Sequence, residues 1–291
     1  MEFQAAGCDP QQLMRYVSLM KACFPGAPKY DLPYFEWLYA ANPDGPVLGF
    51  DAYEDGHLAA HYACVPARAT VGGRDVRVLL SLNTATLAPF QGQGLFTILA
   101  QMTFDAAAAQ GVDAVYGVAN ANSTHGFIRK LGFQLVRPLD ALVGAGPLLR
   151  KPPTDGYGES FQRRRSVRGL AWRCANPSSP VFYRHNADRM AYFSAVKGLP
   201  LSAYCETFFE TDCKANLQAM GSATGASAKP SFARLFLGLH PKEIALSRRY
   251  VPVPQWLKPS PLNLIYLSLS GAVPALDGNA INFSYLDFDA Y

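Results

Sequence analysis

The residues whose types and spacing say most about chemistry are Gln91-Gly92-Gln93-Gly94-Leu95-Phe96, which follow an apolar run and open a stretch with helical spacing. Glycine lets backbone approach a phosphate closely, and the first N–H groups of a helix have no internal partner. Such a loop is an anion cradle aligned with the positive end of the helix dipole, able to hold a pyrophosphate without basic side chains. It departs from the dinucleotide fingerprint, which needs a third glycine, and from the phosphate loop of nucleotide hydrolases, which needs Gly-Lys-Ser/Thr.

The elements that must position this loop are readable around it. Asp9-Pro10 starts a helix over residues 10–23, with Leu13, Val17 and Met20 on one face, and Asp31 with Pro33 repeats that start before Trp37. Strands are predicted for 47–54 and 57–66 about the Asp55-Gly56 turn, with a further strand after Gly72-Gly73 ending near Leu87, an antiparallel meander. Leu95, Ile98, Leu99 and Met102 mark a helix reaching Gln110. A strand over 112–119, a helix over 124–131 stopped by Gly132, and a strand over 133–143 complete the first half.

A second stretch, Val115-Tyr116-Gly117-Val118-Ala119-Asn120 leading to Asn122-Ser123-Thr124-His125-Gly126-Phe127 and ending in Leu131-Gly132-Phe133, stands downstream of the loop in matching order. Together the two stretches resemble the GNAT superfamily of N-acyltransferases over about residues 1–143. The resemblance implies that the amides of Gln91 to Phe96 hold the pyrophosphate of acetyl-CoA or another acyl-CoA. It also implies that strands splayed after Leu87 and before Asn120 admit the pantetheine arm past Asn120, Ser123 and Phe127. By the same resemblance Asn83 and Thr84 stand where the acceptor meets the thioester. The tyrosine that many of these enzymes use to protonate the departing thiolate is replaced by Ile128. His125 on that segment and His61 on the strand beside Asn83 are the titratable candidates, since an ordinary imidazole pKa of about 6.5 suits proton transfer. A histidine hydrogen-bonded in the sheet is the plainer use of His61. Trp37 offers a ring for an acceptor to stack on, or simply core.

Residues 144–159 concentrate Gly and Pro without periodicity, so they are expected to connect a first domain, 1–143, to a second unit, 160–291. That unit repeats a fragment of the first: Trp172 to Asn176-Pro177 and Pro180-Val181 echo Trp37 to Asn42-Pro43 and Pro46-Val47. It holds no counterpart of the glycine loop. The expected fold is therefore a mixed-sheet α/β GNAT fold with a second, degenerate GNAT-like lobe that shapes the acceptor site.

Hydrophobic residues make up 49% of the 291 and charged ones 16%, a globular balance. No run approaches the roughly 18 apolar residues of a membrane span, and a cytoplasmic enzyme is expected. Cys8, Cys23, Cys64, Cys174, Cys205 and Cys213 form no CxxC pair, which argues against a metal site or a disulfide framework. Residues 1–143 hold 9 Lys and Arg against 12 Asp and Glu, and the remainder 17 against 10. No nucleic-acid module accompanies that basic excess; Arg163-Arg164-Arg165 within it read as a solvated run or as capture of a phosphorylated small molecule. The two-lobed plan resembles acyltransferases that modify the amine of a nucleotide-linked amino-deoxy sugar. An amino acid, peptide or antibiotic amine is the alternative acceptor, and a catalytically silent acyl-CoA-binding module the non-enzymatic alternative.

Overall fold

The computed structural model describes residues 1–146, 149–150, 160–186, 189–196, 198–209, 226–239, 244–245, 250–258 and 260–288. Residues 151–159, most of the expected connection, lie outside the described residues. At the N-terminus the Asp9 carboxylate accepts from the N–H of Gln11 and Gln12, each at 3.1 Å, and starts α1 (Pro10–Cys23) by satisfying donors that helix geometry leaves over. Leu13, Tyr16, Val17 and Met20 form its buried face. Asp31 does the same for α2 (Leu32–Phe35), accepting from Tyr34 N at 2.9 Å. The chain then widens into a π-type turn, Glu36–Ala40, in which Ala41 N donates to Glu36 O. That turn buries Trp37, Leu38 and Tyr39 together.

The chain divides into two units. The first comprises Met1–Ala69, Asp75–Val136 and Asn263–Ala275, and the second Thr70–Arg74, Arg137–Leu262 and Leu276–Tyr291. In the first, β1 (Glu2–Ala5), β2 (Leu48–Glu54), β3 (His57–Val71) and β4 (Arg74–Thr86) are successive neighbours in one sheet. Asp55 and Gly56 turn between β2 and β3 with φ of +49° and +76°, the dihedrals of a hairpin turn that matches strand twist. A bulge at Ala52/Tyr53 then shifts the register by one, so Glu54 faces His57 while Asp51 faces His61.

From β4 the chain passes through α3 (Leu95–Ala109) to β5 (Ala114–Ala119), which lies parallel to β4 from Val78↔Ala114 to Ser81↔Gly117. α4 (Ala121–Leu131) begins three residues earlier than its apolar spacing predicts, because Asn120 caps it, and β6 (Gln134–Pro138) follows. The strand Asn263–Ser268, from late in the chain, pairs antiparallel along all of β5 and separates it from β6. Tyr62, Leu79, Leu99, Phe104, Val115 and Phe133 belong to the core built by this sheet, α3 and α4. Each such side chain contributes roughly 1.5–3 kcal/mol on burial.

The predicted strand 133–143 is in fact two. β6 ends at Pro138, which has no N–H to continue a ladder, and β7 (Asp140–Ala145) joins a second sheet. That sheet belongs to the second unit. Val181–Asn186, Arg189–Ala195 and Ser202–Phe209 run antiparallel in succession, Ser202–Phe209 lies parallel to Ala233–Gly238, β7 follows antiparallel, and the short strand Val251–Pro252 pairs antiparallel on the far side of β7. The first sheet has the same sequence of relationships in β2 to β5, and each sheet takes a strand from the other half of the chain. The Asn-Pro echo has a local cause as well. Asn176 Oδ1 accepts from Ser178 N (2.9 Å) after α5 (Val167–Cys174), as Asn42 Oδ1 accepts from Asp44 N (3.2 Å). The fold is a mixed α/β arrangement with the topology repeated in a second lobe.

Arg163 to Arg165 are not a uniform solvated run. Arg164 is exposed, but the Arg165 side chain is 7% exposed and is held by Asp287 and Glu206. A guanidinium taken out of water needs such partners. Among the described residues no helix is long and apolar enough to cross a membrane, and no group of three or more His, Cys, Asp or Glu side chains is placed to hold a metal ion.

Gly49 on β2 tests the packing of the meander. A Cβ there would lie 2.2 Å from Tyr62 O and 3.0 Å from Ala63 Cα, both backbone atoms, whereas one at Gly26 would meet nothing within 4 Å. Gly49→Ala is expected to lower the unfolding free energy by roughly 1–3 kcal/mol in chemical denaturation. Gly26→Ala should leave it nearly unchanged.

Candidate active site

The parallel pairing of β4 and β5 stops at Ser81↔Gly117. Two residues on, Asn83 takes φ +48°, a left-handed conformation that asparagine tolerates better than most residues. β4 ends at Thr86, and a short 3₁₀ turn, Ala88–Phe90, leads to the glycine loop. Gly92 and Gly94 have φ of +80° and +77°. A Cβ at either would meet nothing within 4 Å, so dihedral angle rather than crowding calls for glycine there.

Among the described residues, the N–H groups of Gly92, Gln93, Gly94, Leu95 and Phe96 donate to no protein acceptor. The first bonds of α3 are from Thr97 N and Ile98 N to Gly94 O, at 2.9 and 3.1 Å. Five successive unanswered donors thus stand at the positive end of a helix dipole. They border an open cleft of about 420 Å³ lined by Thr84, Thr86, Gln91, Gly92, Gly94, Leu95, Phe96 and Thr97, together with Cys23 and Phe24 from the end of α1 and Lys130 from α4. Gln91 Nε2 donates to Thr86 O at 3.1 Å and so ties the loop back to β4. Burial raises the pKa of the Cys23 thiol, against an opposing hydrogen bond with the Thr86 backbone.

The remaining residues implied for the cofactor have other partners or lie away from the cleft wall. Leu87 N donates to Ala59 O, and Gln93 is exposed on the loop. Asn120 Oδ1 accepts from Asn122 N and Ser123 N, while Ser123 Oγ accepts from Asn120 N, so both side chains form the capping box of α4. Phe127 is buried, with its ring centroid 5.1 Å from those of Phe96 and Phe133. His125 is on the exposed face of α4, and Trp37 is buried with its ring 6.0 Å from Tyr34.

His61 has the densest set of partners. It is fully buried, with Nδ1 2.6 Å from Asp51 Oδ1 and Nε2 2.8 Å from the Tyr39 hydroxyl. Tyr16 donates to the other Asp51 oxygen at 2.8 Å and accepts from Gly7 N. Tyr39 accepts from Asn83 Nδ2 at 3.2 Å, and Tyr34 donates to Asn83 Oδ1 at 3.4 Å. Burial raises the pKa of the Tyr39 phenol well above its usual value, and burial followed by the Asp51 charge does so for Tyr16, so both keep their protons. The structure therefore brings Asn83 and His61 into one network through Tyr39, with Thr84 adjacent on the cleft wall. Sequence reasoning missed Asp51, Tyr39 and Tyr34 in the network, and Cys23, Phe24 and Lys130 in the cleft. The facing of Asp51 and His61 depends on the bulge, which left no readable sequence signal.

Residues 8–136 match the family model described as an acetyltransferase (GNAT) domain. No curated protein matches the chain by sequence. Among solved structures, one similar protein is a conserved protein of Enterococcus faecalis described as a probable N-acyltransferase, with TM-score 0.62 and 13% identity over 92% of this chain and 73% of that one. A GCN5-related N-acetyltransferase from Anabaena variabilis has TM-score 0.59 and 10% identity, with the same coverage of 92% and 73%. Eis1 from Mycobacterium abscessus has TM-score 0.57 and 13% identity over 93% and 74%. The likeness is one of fold over most of the chain, and residues 8–136 carry an acetyltransferase (GNAT) domain.

A β-branched residue cannot hold φ +77° without strain, so Gly94→Val should displace the loop amides while the rest of the unit stays folded. Calorimetry with CoA is expected to show at least about a tenfold loss of affinity, equivalent to about 1.4 kcal/mol. Unchanged affinity in a folded Gly94→Val protein rules out the loop as the anion site.

Proposed function

We propose that this chain is an acyl-CoA-dependent N-acyltransferase, in which the first unit holds the acyl donor at the glycine loop and an acceptor amine meets it beside Asn83 and Thr84. The observation that carries this reading is the run of five unanswered N–H groups from Gly92 to Phe96, bordering a cleft within a GNAT acetyltransferase domain. A pyrophosphate calls for dense, fixed donors, and the cleft falls in the usual volume range of small-molecule sites. When bound, acyl-CoA supplies an acyl group already activated as a thioester.

The protein's own residues bind and orient. The loop amides and Lys130 would hold the phosphates, and Asn83 and Thr84 would align the amine, which must be neutral before it attacks. Ile128 has no proton to give, so the departing thiolate, with an ordinary thiol pKa of about 8.5, takes its proton from solvent, and solvent accepts the proton the amine sheds as the amide forms. Catalysis then depends on positioning more than on one strong acid. His125, on the exposed face of α4, contributes little to such a mechanism.

The acceptor is the finer part of the proposal. A nucleotide-linked amino sugar, handled in the cytoplasm, draws support from the basic excess of the second half. Arg165 does not contribute to it, being held by Asp287 and Glu206; Arg164 and Arg168 are the exposed members of that stretch. The alternative, a small amine without a diphosphate, needs none of that charge.

An acceptor panel with several acyl-CoAs, read by thiol release, is expected to show turnover that requires an amine. Donor binding without thiol release for any acceptor would leave only an acyl-CoA-binding module. Free and nucleotide-linked amino sugars acylated at equal rates would exclude the nucleotide-sugar acceptor. Capture of the acceptor by charge makes its KM rise with salt, as the Debye length falls from about 10 Å at 0.1 M to about 3 Å at 1 M. Lys130→Gln should weaken CoA binding and flatten the salt dependence of that binding, measured by calorimetry; an unchanged salt slope excludes Lys130 as a phosphate partner.

A further inference from the structure

Asn83 stands at one end of a hydrogen-bond chain whose direction is imposed from the other. A carboxylate only accepts, so Asp51 takes the Tyr16 hydroxyl at Oδ2 and the Nδ1 hydrogen of His61 at Oδ1. An imidazole with its one hydrogen on Nδ1 has a bare Nε2, and the Tyr39 hydroxyl at 2.8 Å must donate to it. The lone pairs of Tyr39 are left to accept from Asn83 Nδ2, while Asn83 Oδ1 accepts from Tyr34. Tyr16, Tyr34, Tyr39, Asp51 and His61 are all buried, so water does not readily substitute for any of these partners. After these bonds each end of the Asn83 amide keeps one capacity, a lone pair on oxygen and one hydrogen on nitrogen.

We propose that Asp51, His61 and Tyr39 are positioning residues for acyl transfer, a buried chain that sets which end of the Asn83 amide offers an acceptor to the incoming amine. The proposal rests on the reading that the amine meets the thioester beside Asn83 and Thr84. Moving one proton would reverse the chain. With the imidazole hydrogen on Nε2, that nitrogen donates to Tyr39, and Tyr39 must turn its O–H toward Asn83, whose amide has to flip to accept it. A hydrogen then stands where the carbonyl oxygen stood, and an N–H of the amine finds no acceptor.

The groups that face His61 are Asp51 from β2, Tyr16 from α1 with its ring centroid 4.2 Å away, and Tyr39 from the π-type turn at 5.8 Å. Asn83 follows beyond Tyr39 from β4. The left-handed backbone at Asn83 lies where β4 has parted from β5, so fixing its side chain also fixes the strand at the opening. A fully satisfied buried network of this kind specifies one arrangement more strictly than apolar packing does.

Two measurements decide the matter. Nitrogen–proton correlation spectra of the histidine rings, with the His61 signal assigned through His61→Gln, are expected to show Nδ1 protonated and Nε2 bare, and Asp51→Asn should weaken that preference. A wild-type ring carrying its proton on Nε2 overturns the chain, whatever the enzyme turns over. The second is Tyr39→Phe, which removes one oxygen and keeps the ring. Its kcat should fall about 10- to 100-fold with acyl-CoA affinity close to wild type, and its melting temperature should drop by a few degrees because buried His61 Nε2 loses its partner. Wild-type kcat in folded Tyr39→Phe overturns the proposal. If Tyr39→Phe does not fold, Tyr34→Phe, which removes the donor on the other side of Asn83, carries the same expectation, and wild-type kcat in that variant overturns the proposal equally. A wild-type protein that releases no thiol with any acceptor fails the functional reading instead, and the ring spectrum still decides the chain.

Discussion

The parting of β4 from β5 after Ser81 and Gly117 is the constraint on which the first unit's site depends. Up to that point the two strands satisfy each other's backbone groups. Beyond it, β4 must find other partners or present its polar groups to a ligand, and buried backbone groups are seldom left unpaired. The strand Asn263–Ser268 takes over the far side of β5, while β4 keeps β3 as its neighbour, with Leu87 N donating to Ala59 O just past its end. Asn83 absorbs the turn in its left-handed backbone, Gln91 ties the departing loop back to Thr86, and α3 begins with its first donors pointing away from any protein acceptor. An opening between strands and a run of unanswered N–H groups at a helix start are thus two results of one break in pairing.

Polar burial in this unit follows the same constraint. Asp51 and His61 sit within the sheet with no water contact, at a cost that only complete hydrogen bonding offsets. The tyrosines of α1, α2 and the π-type turn supply the needed hydroxyls, and their rings pack against one another and against Phe35. The extra residue of the π-type turn helps bring Tyr34, Trp37 and Tyr39 into the core together. In the second unit Arg165, Glu206 and Asp287 satisfy charged groups in the same way, which ties that part of the basic stretch to structure.

Much of this was legible in the chain, though unevenly. The boundaries of α1, the Asp55-Gly56 hairpin, the glycine loop and the start of α3 were readable because each depends on residues within a turn of itself. The Asn-Pro echo correctly pointed to a repeated topology, since an asparagine turn after a helix is a local device. Reading 133–143 as one strand failed at Pro138, whose missing N–H lets the chain pass from one sheet to the other. Reading Arg163 to Arg165 as one solvated run failed because solvation is decided by what arrives from elsewhere, here Glu206 and Asp287. The side chains of Asn120 and Ser123, expected along a cofactor path, also cap α4, a local role that the Asn-x-x-Ser spacing carries.

By itself the sequence determined the glycine loop and the start of α3, because left-handed glycines and an uncapped helix start are properties of six consecutive residues. It also determined that no tyrosine stands at position 128. Only the tertiary structure decided that Lys130 reaches the same cleft, that Asn263–Ser268 lies along β5, and that Asp51 faces His61 rather than its neighbour. Each of these depends on pairing between distant segments, whose register is settled by burial summed over a whole sheet face. A one-residue bulge at Ala52/Tyr53 is enough to change which side chains meet.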